Sequence, residues 1–213
     1  MPQYRASGWA LSTDARLILD VIPPGSCRTL DLGGGNGILR SSLEDRGHRY
    51  INLDIRRFAN GEPSLIGEAH RLPFKDGIFD IVISKDSFSY FRNPWVVVKE
   101  VNRVLRENGK FIILVAFMHP LAGNEFYRYT PLGLRHLLND FDVSSLDAPL
   151  WMFTVFGTAA IDALKRIGLG LLGRPVRRFC QGLDRLSTAG RVQPLSFAAA
   201  YRVVARKPSG IEK

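Results

Sequence analysis

Three glycines and one carboxylate in the first third of the chain have the spacing of a binding site for an adenosine-containing cofactor. Gly33, Gly35 and Gly37 follow a short apolar run, and glycines at such a turn let the backbone approach a ligand at the start of a helix. Asp54 ends the next apolar run, where a carboxylate can accept hydrogen bonds from a ribose diol. The strict G-x-G-x-x-G pattern is not met, because Ile38 stands at its sixth place. The alternative is a tight turn without a ligand.

Two further side chains have types that suit acid–base chemistry. Asp86 directly follows one apolar run and His119 lies just past another, and ligands of open α/β sheets bind at the carboxyl ends of strands. An unperturbed histidine titrates near neutrality, so His119 is a candidate general base. The alternatives are that His119 caps a turn before Pro120, and that Asp86 is a loop carboxylate that caps the following segment.

The elements that must position these residues alternate between strand and helix. This alternation predicts an α/β fold, a doubly wound, seven-stranded, mostly parallel sheet with helices on both faces. The chain would be a single domain, 1–213, with a basic helical insertion at 150–195 before the last strand. The predicted strands span 27–32, 49–55, 64–69, 79–84, 110–116, 141–148 and 197–207, and the predicted helices span 11–22, 38–46, 94–105 and 131–138.

Four segments resemble, in order and spacing, the successive motifs of class I S-adenosylmethionine-dependent methyltransferases of the type 11 kind. They read LDLGGGNG (30–37), INLDI (51–55), GEAHRLPFKDGIFDIVIS (67–84) and VVKEVNRVLRENGKFIILV (97–115). The resemblance covers about residues 28–116 and implies the Rossmann-like methyltransferase fold with S-adenosyl-L-methionine as cofactor. It also implies the cofactor contacts: Asp31 and the Gly33–Gly37 loop around the methionine part, Asp54 on the ribose hydroxyls, Glu68 and Ala69 at the adenine amino group, and Leu72 on the adenine ring.

The chain departs from the family pattern mainly on the catalytic side. Glu68 replaces the commoner Asp of the adenine motif, which is a mild change. Ser89 and Tyr90 stand where the family often has a Glu-His pair. A catalytic role for that pair is therefore not inherited.

The segment 119–138 resembles a subgroup of these enzymes often encoded with genes for cell-envelope polysaccharide or other secondary biosynthesis. It reads HPLAGNEFYRYTPLGLRHLL. The run Tyr127–Thr130 within it would line the acceptor pocket. Alternatively, Thr130 caps the helix that begins at Pro131.

The positive charge of the chain is concentrated in its C-terminal third. Residues 150–213 hold 11 Lys and Arg against 3 Asp and Glu, whereas residues 1–149 hold 18 against 17. Within the insertion, the basic amphipathic segment 158–186 can lie on an anionic membrane, bind a phosphate-bearing acceptor or cover the core with a solvated face. Nucleic acid is the least favoured partner, because aromatic residues interleave poorly with the arginines. The apolar positions at helical spacing are Ile161, Leu164, Gly168, Leu171 and Leu172.

Length and composition bound the remaining possibilities. With 213 residues, 46% of them hydrophobic, the chain can bury a core. Cys27 and Cys180 have no metal-ligand spacing, so we expect no metal site and a reducing, cytoplasmic setting, with peripheral membrane contact at most. The N-terminus lacks a signal-peptide pattern, and the longest uncharged apolar stretch, 148–161, is too short to cross a bilayer.

The sequence thus predicts methyl transfer to a hydroxyl, or less favourably an amine, of a small-molecule, glycan or lipid-linked acceptor. One alternative is a scaffold that binds the cofactor without catalysis, which the unusual segment 85–91 favours. The other is a nucleotide-dependent oxidoreductase, which the adenine-type run GEAHRLPF and a reversed last strand disfavour.

Overall fold

The structure, a computed structural model that describes residues 15–58, 63–118, 124–188 and 197–210, contains a seven-stranded sheet. Its strands are β1 (Arg28–Leu32), β2 (Arg49–Asp54), β3 (Leu65–Ile66), β4 (Phe79–Lys85), β5 (Leu105–Ala116), β6 (Asp142–Leu150) and β7 (Ala200–Arg206). They lie in the order β3-β2-β1-β4-β5-β7-β6. The strands β1 to β5 pair in parallel, whereas β7 is antiparallel to both β5 and β6. The predicted α/β fold and its reversed last strand are confirmed.

Helices cover both faces of the sheet because the central strands are apolar on both sides. Ile113 of β5 belongs to the same buried apolar cluster as Val101 and Leu134. The next residue back, Ile112, belongs to a second cluster together with Leu43, as the alternation of side chains along a strand requires. The first cluster holds α3 (Pro94–Val104) and α4 (Pro131–Leu137), and the second holds α1 (Arg16–Leu19) and α2 (Arg40–Glu44).

The largest difference at the start of a strand occurs at β5, where backbone geometry rather than residue type decides the boundary. β5 begins at Leu105, whereas the apolar run predicted a start at 110. Its pairing with β4 shifts register between Phe79 and Ile81. Asn108 has a left-handed backbone with φ of 61°. The strand therefore starts with an irregular stretch that hydrophobic periodicity does not reveal.

Several other elements are shorter than predicted, and the third strand and the first helix differ most. The third strand, predicted over 64–69, is the two-residue edge strand β3. The first helix, predicted over 11–22, is α1, and residues 11–14 lie outside the described residues.

The predicted insertion contains two helices joined by a short turn. α5 (Met152–Arg166) and α6 (Gly173–Thr188) pack against each other, with a 3₁₀ turn at Gly170–Leu172 between them, and we call this unit the helical hairpin. Val155 in the first turn of α5 packs against the apolar cluster that holds α1 and α2. Along the described residues, no helix is both long and apolar enough to span a membrane.

The apolar face predicted for the insertion is divided by the structure. Ile161 is buried and Leu164 is half-buried. Gly168 has a left-handed φ of 82°, so the chain leaves the path of α5 there. Leu171 and Leu172 consequently do not continue the face of Ile161, and both are exposed.

Candidate functional site

Polar side chains of β1 and β2 fix the glycine loop at the carboxyl ends of these strands. Asp31 pairs in register with Asn52, and Tyr50 lies two positions before Asn52 on the same face of β2. The Tyr50 hydroxyl donates a hydrogen bond to Asp31 Oδ2 (2.6 Å). Asn52 Nδ2 donates to the carbonyl of Gly35 (2.8 Å), whose N–H donates to Asp54 Oδ2 (3.0 Å). Two side chains of β2 therefore hold the loop in place.

The loop passes so close to these side chains that Gly34 has no room for a Cβ atom. A Cβ at this position would overlap Asp31 Oδ2 and lie 2.6 Å from Asn52 Oδ1. The spacing of glycines in the sequence did not identify Gly34. Glycine is required there because a Cβ atom has no room, and not because of a positive φ angle. The glycines that the spacing did identify, Gly33, Gly35 and Gly37, all have positive φ angles, which favour glycine.

Two buried oxygen atoms beside the loop, Asp31 Oδ1 and Asn52 Oδ1, have no hydrogen-bond partner in the described part of the chain. A buried unsatisfied polar atom costs about 1–3 kcal/mol, so these oxygens call for a donor from a ligand. Burial raises the pKa of Asp31 to about 6, although the Tyr50 hydroxyl and the charge of Lys85 both lower it. At neutral pH the Asp31 carboxyl is mainly ionised and suits a cationic donor.

The residues predicted to contact adenine lie in the loop after β3. Glu68 is exposed, whereas Ala69 and Leu72 are buried. The N–H of Leu72 donates to Glu100 Oε2 (2.7 Å), and Arg103 holds that carboxylate with its Nη2 (2.8 Å). The loop is thus anchored to α3, and Leu72 is also part of the apolar core. The adenine contacts stay a prediction.

An ion pair follows β4 at the same edge of the sheet. The Nζ of the buried Lys85 lies 2.6 Å from Asp86 Oδ2. Asp86 has a φ of 56°, and such a left-handed conformation costs a non-glycine residue about 1–3 kcal/mol. Strain of this kind often occurs at functional sites, and the catalytic role of Asp86 stays a prediction.

The loop after β4 also touches the glycine loop. The Ser87 hydroxyl donates to the carbonyl of Leu32 (2.7 Å) and is hydrogen-bonded to Ser84 Oγ (2.7 Å). A Cβ at Gly33 would lie 2.5 Å from Ser87 Cβ. The candidate catalytic carboxylate of Asp86 therefore precedes a residue that contacts the predicted cofactor loop.

Tyr90, Glu125 and Arg128 form a second polar group at this edge. Arg128 Nη2 lies 2.5 Å from Glu125 Oε2, and the Glu125 side chain is only 5% exposed. Burial raises the pKa of Tyr90 to about 12, and the charges of Glu125 and Asp86 act in the same direction. The Tyr90 hydroxyl is therefore protonated at neutral pH and can donate a hydrogen bond.

The segment 124–130 is braced against the turn after β4. The N–H of Phe126 donates to the carbonyl of Ser89 (2.8 Å). The rings of Tyr127 and Tyr129 stack with their centroids 5.8 Å apart. These aromatic side chains hold the segment against the body of the protein.

Two residues in this region have two predicted roles each, and the structure describes only Thr130. Thr130 Oγ1 accepts a hydrogen bond from the N–H of Gly133 (3.1 Å), so Thr130 caps α4. His119 lies outside the described residues, and its role as a base stays a prediction. Among the described residues, no group of three His, Cys, Asp or Glu side chains is placed to hold a metal ion.

Sequence reasoning missed Tyr50, Asn52, Lys85 and Glu125. A signal existed for the first two, because Tyr50, Asn52 and Asp54 alternate along one strand and therefore share a face. Lys85, at the end of β4, and Glu125 carry no such signal, since their burial depends on contacts with residues far away in the sequence.

Comparison with known proteins confirms the family resemblance. Residues 30–113 match a family described as a methyltransferase domain. An uncharacterized methyltransferase of Mycobacterium sp. (strain KMS) is 29% identical over 124 residues, which are 54% of this chain and 47% of that protein. A demethylmenaquinone methyltransferase of Thermotoga maritima is 31% identical over 109 residues, 46% of each protein. The chain spans about half the length of these relatives.

The structural likeness extends over nearly the whole chain. Phosphoethanolamine N-methyltransferase 2 of Haemonchus contortus, solved with phosphomonomethylethanolamine and S-adenosylhomocysteine, has a TM-score of 0.60 to this structure. The likeness covers 96% of this chain and 54% of that one, at 15% sequence identity. At this identity the likeness concerns the fold.

Proposed function

We propose that this chain, whose residues 30–113 match a methyltransferase domain family, is an enzyme that transfers a methyl group from S-adenosyl-L-methionine to a hydroxyl group. The acceptor is a small molecule, a glycan or a lipid-linked intermediate. The observation that carries the proposal is the pair of unsatisfied buried oxygens, Asp31 Oδ1 and Asn52 Oδ1, beside the glycine loop. When bound, S-adenosylmethionine supplies an electrophilic methyl group on a sulfonium, and its ammonium group is a donor of the kind that these oxygens lack.

The unsatisfied oxygen of Asp31 fits the amino acid end of this cofactor, and the remaining contacts are proposed from the family resemblance. The backbone at Gly34 lies against the carboxyl of Asp31, which is mainly ionised at neutral pH and suits the ammonium group of the methionine part. The proposed contacts are Asp31 and Gly33–Gly37 for the methionine part, Asp54 for the ribose hydroxyls, Glu68 and Ala69 for the adenine amino group, and Leu72 for the adenine ring.

On the acceptor side, the chain provides a proton acceptor and a hydrogen-bond donor. The ammonium group of Lys85 stabilises Asp86 as a carboxylate at 2.6 Å, and Asp86 can take the proton of an acceptor hydroxyl. His119 is the second candidate base. The protonated hydroxyl of Tyr90 can orient the acceptor oxygen. The catalytic contribution of the protein is then mainly proximity and orientation.

The proposal includes a peripheral contact between residues 158–186 and an anionic membrane. Such a contact would present a lipid-linked acceptor to the carboxyl edge of the sheet. The exposed basic and apolar side chains of the helical hairpin support it.

Calorimetric titration with S-adenosylmethionine tests the cofactor assignment. Wild-type protein should bind at micromolar concentration, and Asp54→Ala should weaken binding about 100-fold because it removes the acceptor for two ribose hydroxyls, each worth about 1.5 kcal/mol. Asp140→Ala, at an exposed carboxylate between α4 and β6, is the matched control and should bind as the wild type does.

Other outcomes of the same titration separate the alternatives. Binding of NAD(H) in place of S-adenosylmethionine would make the chain a nucleotide-dependent oxidoreductase. Binding of S-adenosylmethionine without formation of S-adenosylhomocysteine in the presence of sugar, lipid-linked and small-molecule hydroxyl acceptors would favour the scaffold. The absence of binding by folded wild-type protein would overturn the proposal.

A further inference from the structure

The outward face of α5 is apolar along its length. Phe156, Ala159, Ala160, Ala163 and Ile167 are all exposed, and they recur at intervals of three or four residues. Side chains with this spacing lie on one face of a helix. The helix therefore presents an uncharged strip to its surroundings.

On α6, a second apolar strip runs beside a row of arginines. Pro175, Phe179 and Leu186 are exposed and share one face by their spacing. The residue before each of them is an exposed arginine, so that the basic row borders the apolar strip directly. These arginines are Arg174, Arg178 and Arg185.

The turn between the helices is the most exposed apolar part of the hairpin. Leu171 is 95% exposed, and Ile167, Leu169 and Leu172 are exposed around it. Several leucines and an isoleucine in one turn form a contiguous apolar surface, which proteins rarely expose without a binding role.

This exposure does not result from a loosely packed hairpin. Asp184 of α6 is buried, and its carboxylate accepts hydrogen bonds from the N–H groups of Trp151, Phe153 and Thr154 at 3.0–3.1 Å. These bonds cap the start of α5. The two helices also approach closely, since a Cβ at Gly157 would lie 2.6 Å from the Sγ of a cysteine on α6. The interior of the hairpin is closed, and the exposed apolar residues remain outside it.

We infer that the helical hairpin binds an anionic lipid bilayer, with the strips of α5 and α6 and the intervening turn in the headgroup region and the bordering arginines on lipid phosphates. An apolar face beside a basic row is the pattern of helices that lie in a membrane interface. Residues 152–188 hold six Lys and Arg but only Asp162 and the buried Asp184 as acidic residues. In a symmetric dimer through the same face, the basic rows would oppose each other, which disfavours a second copy as the occupant.

The hairpin joins the sheet at the edge that carries the candidate site. Leu150, at the end of β6, pairs with Ala200, which in turn pairs with Ala116 at the carboxyl end of β5. A membrane-bound hairpin would therefore hold this edge at the lipid surface. The inference rests on the membrane contact of the proposed function and deepens it by naming the surface and the lipid class. It does not depend on the methyl-transfer part of that function, whereas the choice of a lipid-linked acceptor does.

Flotation of the full chain with lipid vesicles tests the inference. Wild-type protein should float with phosphatidylcholine vesicles that contain phosphatidylglycerol, and only weakly with phosphatidylcholine alone. Leu186→Glu should lower the partition constant about tenfold, since burying a leucine in an apolar phase is worth about 1.5–3 kcal/mol. Leu132→Glu on α4 is the matched control because both leucines are 77% exposed.

The basic row is tested in the same way. Arg178→Glu should lower the partition constant for anionic vesicles about tenfold, and Arg135→Glu, at an exposed arginine of α4, should not.

The outcomes of these experiments distinguish a lipid-binding surface from a dimer interface. Equal vesicle binding by Leu186→Glu and Leu132→Glu, or no binding by folded wild type, would overturn the inference. A dimer in light scattering that Leu186→Glu dissociates, without vesicle binding, would identify a second copy as the occupant. Calorimetric titration of each variant with S-adenosylmethionine measures cofactor binding separately from vesicle binding. Normal cofactor binding with no vesicle binding refutes the lipid surface alone, and vesicle binding without cofactor binding refutes the methyl-transfer proposal alone.

Discussion

The glycine loop and the helical hairpin depart from ordinary burial in opposite directions. At the loop, oxygens of Asp31 and Asn52 are buried without partners among the described residues. On the hairpin, apolar side chains such as Phe156 and Leu171 are exposed. Folded proteins normally avoid both arrangements. Each has a cost in the free chain that a suitable ligand would remove, a cationic donor at the loop and a lipid phase at the hairpin.

The two departures should respond differently to mutation. A hydrogen-bonded site requires each atom at a fixed position. Removing or adding one atom therefore lowers ligand affinity or folding stability strongly. An apolar surface acts through its total area, so single changes have smaller effects. Leu186→Glu, described above, tests the apolar surface. The four changes below test hydrogen-bonded or closely packed groups of the loop and the hairpin, from the largest expected effect to the smallest.

Gly34→Ala should abolish cofactor binding. The added Cβ would overlap Asp31 Oδ2, so the loop must move away from the carboxylate, and the overpacking should also destabilise the fold by about 1–3 kcal/mol. Calorimetry and thermal unfolding measure the two effects. Gly182→Ala is the control, because a Cβ there meets nothing within 4 Å. Micromolar binding by Gly34→Ala would show that the loop adapts and that the close approach is not needed.

Asp184→Ala should unfold the start of the hairpin while leaving cofactor affinity unchanged. The substitution removes the acceptor for the N–H groups of Trp151, Phe153 and Thr154, at a cost of about 2 kcal/mol. Hydrogen exchange at these amides should accelerate about 30-fold. Asp162→Ala, which removes only an exposed pair with Arg166, should change exchange little. A simultaneous loss of cofactor binding would mean that the two regions are coupled.

The affinity for S-adenosylmethionine should fall about tenfold for each pH unit below 6. The pKa of Asp31 is raised to about 6 by burial, and only the ionised carboxyl attracts an ammonium group. Folding stability should respond in the opposite sense. Because the pKa is raised above its ordinary value of 3.8, the stabilisation is full below pH 3.8 and is lost as pH rises through 6, about 3 kcal/mol in all. Titrations and melts between pH 4 and pH 8 measure both slopes, and Asp31→Asn should remove them.

Tyr50→Phe should move the pH dependence of cofactor binding upward by about one unit. The Tyr50 hydroxyl donates to Asp31 Oδ2 at 2.6 Å and lowers the pKa of Asp31 by stabilising its charged form. Without this donor, the pKa of Asp31 should rise further, so affinity at pH 6.5 should fall several-fold while affinity at pH 8 stays nearly constant. An unchanged pH profile would show that the hydroxyl only fills space.

A region could be predicted from the sequence where the interactions that build it join residues close together in the chain. The glycine loop and Asp54 depend on neighbours along one strand–turn–helix unit, and their positions were predicted. Asn52 was predictable in principle from the alternation along β2. The left-handed backbone at Asp86 and the burial of Glu125 depend on contacts between loops far apart in sequence, which periodicity does not encode.

On the hairpin, the sequence predicted helices but not which face would be buried. Ile161 and Leu171 were assigned to one apolar face, yet the first is buried and the second exposed. The outcome depends on the left-handed turn at Gly168. A helical projection of the sequence assumes that the helix continues through this residue, and it therefore places Leu171 on the wrong face.

The attachment of the hairpin has a consequence for the history and engineering of the chain. The strands on either side of it in the chain, β6 and β7, are antiparallel neighbours, and the N–H of Ala199 donates to the carbonyl of Leu150 at 2.8 Å. Because these two residues are hydrogen-bonded neighbours, the chain between them can be exchanged for a short turn without shifting the register of β6 and β7. If the hairpin binds lipid as inferred, the seven-stranded body can gain or lose this membrane contact as a single segment, and grafting the segment onto a related domain should transfer vesicle binding with it.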